Sequence, residues 1–330
     1  MPTFLHGKNT RVLLSNPSFT NATISGTWAT SSSTIYVANT PVPLYVGMTV
    51  SATTGLPAGT ITTVSANLAN PTITVSSTTT GAQATLANVV VNSASGYVSD
   101  LSPYFNDVSV MTEVAAEETT TFQTGGVKSF ITGLRTGTLT LSGFYEGTIQ
   151  GVDTVFTQAL YSPNDDGVVV FPDGGTATAT GGKDFRCSVA QGIETKYELK
   201  SPVAGVVAVD GEIQSDGGVW RGVGQFIPST VLTGSGTTYT APSNTSGAST
   251  TLGGQLQIGV ISLNGTSPTI SVQLQNSPDN STWTNVGTAL TSIGSSIQIL
   301  SGSIYAYTRL AVTLGGTSPS ATIYYGFARY

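Results

Sequence analysis

The stretch Val108-Ser109-Val110-Met111-Thr112-Glu113-Val114 decides the fold class. Val108, Val110, Thr112 and Val114 fall on one parity, and Ser109, Met111 and Glu113 fall on the other. Successive side chains of a strand point to opposite faces, so an apolar parity facing a polar one predicts a half-buried β-strand. Leu139 and Leu141 set against Thr138, Thr140 and Ser142 repeat the pattern. So do Ile270, Val272 and Leu274, and Leu310, Val312 and Leu314, near the end of the chain. The period breaks at Asp153–Leu160, where Val155, Phe156, Ala159 and Leu160 recur at helical spacing behind Asp153, the predicted N-cap. Together these segments predict an all-β protein with one short α-helix.

Composition narrows the chemistry. The 330 residues are 39% hydrophobic, enough for a core, but only 8% charged, against roughly 25% in an average soluble domain. A net charge of −6 disfavours a surface that grips phosphate backbones. A single cysteine, Cys187, excludes an internal disulfide framework and a cysteine-built metal site. A single histidine, His6, excludes a two-histidine metal site and leaves little room for a histidine-based triad. The opening residues Met1 to Lys8 lack the apolar segment of a signal peptide, and no run of 18 apolar residues exists. The expectation is a non-enzymatic protein with no cofactor, no metal and no membrane partner, synthesised in a cytoplasm.

Charge divides the chain into zones. Between Val12 and Ser99 there is no Asp, Glu, Lys or Arg, whereas Asp100 to Arg221 holds 16 acids and 7 bases. Residues 16–96 carry short β-type runs, Thr34–Val37, Thr60–Val64 and Thr72–Val75, punctuated by Gly55-Leu56-Pro57-Ala58-Gly59 and Asn70-Pro71. That pattern predicts a small inserted β module. Residues 231–250 are rich in Gly, Ser and Thr and read as a linker or connecting arm. Residues 251–330 read as a C-terminal β-sandwich of immunoglobulin-like size, without the Cys…Trp…Cys spacing.

Other motifs are weaker. Asp165-Asp166 near Asp173 reads as a turn, because it lacks the carboxylate spacing of a calcium loop. Cys187 reads as a small core residue. Trp28, Trp220 and Trp283, with Tyr305, Tyr307, Tyr324 and Tyr325, read as core or interface, leaving open a weak glycan contact through the C-terminal module.

Four segments, taken in order, resemble one family. They are His6-Gly7-Lys8-Asn9-Thr10-Arg11-Val12-Leu13-Leu14, Asp100-Leu101-Ser102-Pro103-Tyr104-Phe105-Asn106-Asp107-Val108-Ser109-Val110, Glu117-Glu118-Thr119-Thr120-Thr121-Phe122, and Gly133-Leu134-Arg135-Thr136-Gly137-Thr138-Leu139-Thr140-Leu141-Ser142-Gly143-Phe144. With the downstream helix they resemble the major tail tube protein of long, non-contractile-tailed bacteriophages. The resemblance places a tail-tube-type β-sandwich core at 1–15 and 97–230, with 16–96 interrupting a hairpin.

What the resemblance implies is a structural virion protein of the tail, forming sixfold rings stacked into a hollow conduit for DNA. Its implied partners are further copies of itself, the tape measure, tail terminator and distal tail proteins, and double-stranded DNA in transient, non-specific passage. By parity, Glu194, Lys196, Glu198 and Lys200 share one face, as do Asp210, Glu212 and Gln214. They are the candidate lumen face, the alternative being an ordinary solvated strand face. The candidate inter-ring loop spans 112–126 and includes Glu113, Glu117, Glu118 and Phe122. The competing readings are a self-assembling capsid decoration protein and a glycan-binding surface protein.

Overall fold

A computed structural model describes residues 9–16, 19–39, 42–52, 55–65, 71–93, 96–120, 127–148, 150–160, 165–176, 185–203, 205–240 and 248–330. The described residues are overwhelmingly strand, in one 13-stranded sheet system and one closed six-stranded barrel.

The centre is built on two apolar runs. Val12-Leu13-Leu14 lies in β1 (Arg11–Asn16), and Val168-Val169-Val170-Phe171 lies in a later strand numbered β11 (Asp166–Phe171) below. A continuous apolar run suits a strand covered on both faces, and these two pair antiparallel. One face, with Val12, Leu14, Val168 and Val170, packs on a core shared with Leu139, Leu141, Val209, Ile213 and Phe156. The other, with Leu13, Val169 and Phe171, packs on Cys187, Val189, Phe226 and Tyr324.

Between β1 and its second partner the chain makes the barrel. Strands β2 (Phe19–Trp28), β3 (Thr34–Asn39), β4 (Thr49–Ala52), β5 (Gly59–Ser65), β6 (Thr72–Val75) and β7 (Gln83–Ser93) close in the order β2-β3-β6-β5-β4-β7. Ile24, Trp28, Ile35, Val50, Ile61, Ile73, Val89 and Val91 fill it. Closure leaves no open edge, which is how a weakly charged, Thr-rich module avoids pairing with other chains. The chain then returns as β8 (Tyr97–Asp100), paired antiparallel with β1.

The central unit continues through β9 (Phe105–Glu118), β10 (Phe130–Phe144), helix α1 (Val152–Leu160), β11, β12 (Phe185–Lys200), β13 (Ala208–Ser215) and β14 (Trp220–Ile227). The helix begins one residue before Asp153, so Asp153 stands in the first turn, not at the N-cap; it accepts a hydrogen bond from Tyr197 Oη at 2.7 Å. Val152, Val155, Phe156 and Ala159 are its buried stripe. Gly211 of β13 lets the helix settle on the sheet, since a Cβ there would lie 2.2 Å from the Phe156 ring.

Strand β12 belongs to two layers. Its first half pairs with β14 over Phe185–Val189 and its second half with β13 over Gly192–Lys200. Gly192 sits at the change-over, where a Cβ would come within 2.1 Å of Gln214 O. The last strands are β15 (Gly236–Tyr239), β16 (Gly254–Ser277), β17 (Thr284–Leu290), β18 (Gly294–Leu300) and β19 (Tyr307–Arg329). Strands β16 and β19 run side by side from Gly254↔Arg329 to Ser277↔Tyr307 and enclose a core of Leu256, Ile258, Val272, Leu274, Leu310 and Ile323. They also bond back to the centre, because β14 pairs with β19 over Val223–Ile227. Within 231–250, β15 pairs with β19 and Leu232 is buried.

Candidate assembly surface

The β9–β10 hairpin outruns its support. Strand β10 pairs with β13 only over Thr138–Phe144, while its pairing with β9 runs on to Phe130↔Glu118. The distal half, Thr112–Glu118 against Phe130–Gly137, is therefore a two-stranded ribbon among the described residues. Such a ribbon has marginal stability by itself. It also exposes apolar side chains: Val114, Phe130, Ile131 and, at 83% exposure, Leu134. The register shifts between Thr132 and Arg135, placing Gly133 and Leu134 opposite Ala115. Strand β9 pairs with β10 alone among the described residues, so its outer edge presents unpaired backbone donors and acceptors.

Of the candidate inter-ring residues, Glu113, Glu117 and Glu118 are exposed on this ribbon, and Lys128 Nζ pairs with Glu118 at 3.1 Å. Phe122 lies outside the described residues.

The candidate lumen residues fall mostly, not wholly, on one face. Asp210, Glu212 and Gln214 alternate with buried Val209, Gly211 and Ile213. Opposite them stand Glu198, Lys196 and Ile193 respectively. Lys196 bonds Glu198 at 2.6 Å, and Lys200 bonds Asp210. The hydrogen bond from Lys196 holds the Glu198 carboxyl below its ordinary range, and Lys200 does the same for Asp210, which in turn raises the Lys200 ammonium. The same face continues through Thr138, Thr140 and Ser142 of β10 to Met111, Ser109 and Asp107 of β9.

Glu194 is separated from that group, contrary to the parity reading. The register shifts between Glu194 and Lys196, so Thr195 is an extra residue with no partner position on β13. A bulge of one residue reverses which parity faces which side. Glu194 consequently opposes Ile213 on the core side, at 6% exposure, with neither carboxylate oxygen hydrogen-bonded. Burial, aided by the nearby Asp166 charge, pushes its carboxyl up to about 10. Asp166, missed as a site residue because Asp165-Asp166-Gly167 reads as a turn, is 1% exposed and accepts a 2.9 Å hydrogen bond from Asn16 Nδ2. Burial raises it to about 7 against the lowering effect of that bond.

The remaining motifs are dispersed. Trp28 is in the barrel core and bonds Gly81 O, Trp220 packs on Tyr330, and Tyr324 and Tyr325 are buried. At the C-terminal unit, the Arg309 guanidinium lies 4.0 Å from the Tyr239 ring centre and 4.1 Å from that of Trp283, so each ring has one face taken by an internal cation. Cys187 is buried in β12. Among the described residues no group of three or more His, Cys, Asp or Glu side chains could hold a metal ion, and no helix is long and apolar enough to cross a membrane.

No protein-family model matches the chain, and no curated protein matches it. Among solved structures it is similar to a chain from the tail of an empty GTA particle with C6 symmetry, at 12% identity and a TM-score of 0.29, over 35% of this chain and 80% of that one. It is also similar to the SPP1 Dit protein, described as a paradigm of hub adsorption apparatus in phages infecting Gram-positive bacteria. There the identity is 11% and the TM-score 0.27, over 70% of this chain and 96% of that one. At such scores the likeness is partial and fixes no role.

Proposed function

We propose that this chain is a self-assembling structural subunit of a bacteriophage tail, with the sheet β12–β13–β10–β9 as its assembly element. The observation that carries the reading is the β9–β10 ribbon, which leaves apolar side chains and an open backbone edge in water in a single copy. An edge of this kind is a template for another strand, and an interlocking set of identical copies satisfies every edge by closing a ring. In the form the sequence resemblance implies, six copies close each ring and the rings stack into a DNA conduit, with the Glu113–Glu118 segment reaching the next ring.

The face bearing Asp107, Lys196, Glu198, Lys200, Asp210, Glu212 and Gln214 then lines the bore. Its carboxylates outnumber its ammonium groups, and the ammonium groups are already engaged by carboxylates. Such a wall offers phosphates few unpaired cations, which keeps DNA from binding through counterion release. The barrel and the C-terminal sandwich face outward in this arrangement.

Electron microscopy of the purified full-length protein tests the proposal. Stacked rings or hollow tubes are expected. Particles that remain single copies at every concentration, or that only coat capsids, would overturn it.

A further inference from the structure

We propose that the outer face of the sheet β17-β16-β19-β15 binds a neutral oligosaccharide, with Tyr239, Trp283, Arg309 and Asn285 as its contact residues. The site does not depend on the assembly reading.

The first observation is the make-up of that face. Alternation puts Val272, Leu274, Leu310 and Val312 into the core and leaves Gln273, Gln275, Arg309 and Thr313 on the other side. Tyr239 on β15 and Trp283, immediately before β17, come from the two flanks of this sheet, and Arg309 on β19 lies between them. The guanidinium is 4.0 Å from the Tyr239 ring centre and 4.1 Å from that of Trp283. It covers one face of each ring, and Tyr239 is still 43% exposed. Two aromatic rings are thus held by one internal cation at the surface of the C-terminal unit.

The second observation is that these groups are fixed and that donors are left over. Arg309, Gln275 and Asn285 form one rung across β19, β16 and β17. Arg309 Nε donates to Gln275 Oε1 at 2.9 Å, and Gln275 Nε2 donates to Asn285 Oδ1 at 2.9 Å. Asp279 accepts from the backbone N–H groups of Ser281 and Thr282 and from the Ser277 hydroxyl, which sets the turn leading into Trp283. The rung spends its acceptors on itself. Asn285 Nδ2, the two terminal nitrogens of Arg309 and Trp283 Nε1 have no acceptor among the described residues. Groups already ordered lose little side-chain freedom when a ligand arrives, and this set calls for one rich in acceptors.

The third observation is charge. From Gly222 to Tyr330 the charged residues are Asp279, Arg309 and Arg329 alone. Arg329 is 8% exposed and donates to the carbonyls of Tyr305 and Ala306, while Asp279 is spent on its turn. A polyanion would need several cations, and this face has one. A neutral sugar fits better. The C–H groups on a pyranose face carry a small positive charge and suit the negative face of an aromatic ring. Its hydroxyl and acetamido oxygens accept from the guanidinium, indole and amide donors. A β-linked glucose-type unit, with its hydroxyls equatorial, bares those C–H groups most fully.

The test titrates the full-length chain with chitotetraose and with cellotetraose, read by calorimetry and tryptophan fluorescence. Trp28 is buried in the barrel and Trp220 packs on Tyr330, so Trp283 should carry the fluorescence change. A saturable signal at one site per chain is expected. Tyr239→Ala and Asn285→Ala, both at exposed positions, should each weaken binding about fivefold or more, with unchanged circular dichroism and unfolding midpoint. Ile299→Ala, exposed on β18 of the same unit, should change nothing. Trp283→Phe should remove the fluorescence change while calorimetry still detects binding. A chain that responds to neither sugar overturns the proposal, as does an equal response in wild type and Tyr239→Ala. Tighter binding of polygalacturonate, lost in high salt, would overturn it in favour of a site read by the Arg309 charge.

Discussion

Two pairs of long antiparallel strands dominate this molecule, and they end differently. Strands β16 and β19, 24 and 23 residues long, bury Leu256, Val272, Leu274, Leu310, Val312 and Phe327 within the chain. Strands β9 and β10, 14 and 15 residues long, carry the same alternation but leave Met111, Val114, Phe130, Ile131 and Leu134 exposed. Alternation says that one face of a strand wants cover; it does not say whether this chain or another copy supplies it. The first pair finds its cover internally, folded against β14, β15, β17 and β18. The second is supported by β13 for only half its length.

Mutations can break that contrast. Leu274→Ala, at a fully buried site of the C-terminal core, should cost about 2–5 kcal/mol in urea unfolding. A loss below 1 kcal/mol would mean that β16 and β19 are no better covered than the hairpin. Next in size is Gly222→Ala, at the seam between β14 and β19, where a Cβ would lie 2.1 Å from Phe327 O. About 1–3 kcal/mol should be lost, and the unfolding of the central and C-terminal cores should separate. Coincident transitions in that variant would show that the seam does not couple them.

A graded effect belongs to the buried carboxyls. Burial raises Asp166 to about 7 and Glu194 to about 10, so the folded chain keeps protons that the unfolded chain has lost. Stability should therefore be greatest at acid pH and fall as pH rises through 7 towards 10, by at most about 1.4 kcal/mol per pH unit for each proton. Glu194→Gln should flatten the upper part of that fall; an unchanged slope would remove Glu194 from the buried side of the sheet. The smallest stability effect is expected on the ribbon. Leu134→Asp should move the unfolding free energy by no more than about 0.5 kcal/mol while abolishing rings or tubes in micrographs. Assembly that survives the added charge would show that this ribbon is not the contact.

Much of the fold was legible beforehand. Thr34–Val37, Thr60–Val64 and Thr72–Val75 lie on β3, β5 and β6, and the helical stripe at Asp153–Leu160 lies on α1. These segments declare themselves because each depends on the repeat of a short stretch of backbone. The polar face of β12 was legible only from Lys196 onward. Nothing in Glu194-Thr195-Lys196 marks Thr195 as an inserted residue, and one insertion reverses the parity before it. The buried contact between Asn16 and Asp166 was hidden for a different reason. The two residues lie 150 positions apart and meet only through the pairing of β1 with β11.

From the residues by themselves came the all-β character, the uncharged stretch between Val12 and Ser99, and the acid-rich centre, since period and composition are local properties. Which strands pair, where β12 slips by one residue, and that β14 joins β19 across 100 positions were decided by tertiary structure. Those choices follow from competition among many strands of similar apolar content, and the winner depends on how the whole set packs. The buried fate of Glu194 is the sharpest instance, because its side of the sheet was set by a register that no neighbouring residue encodes.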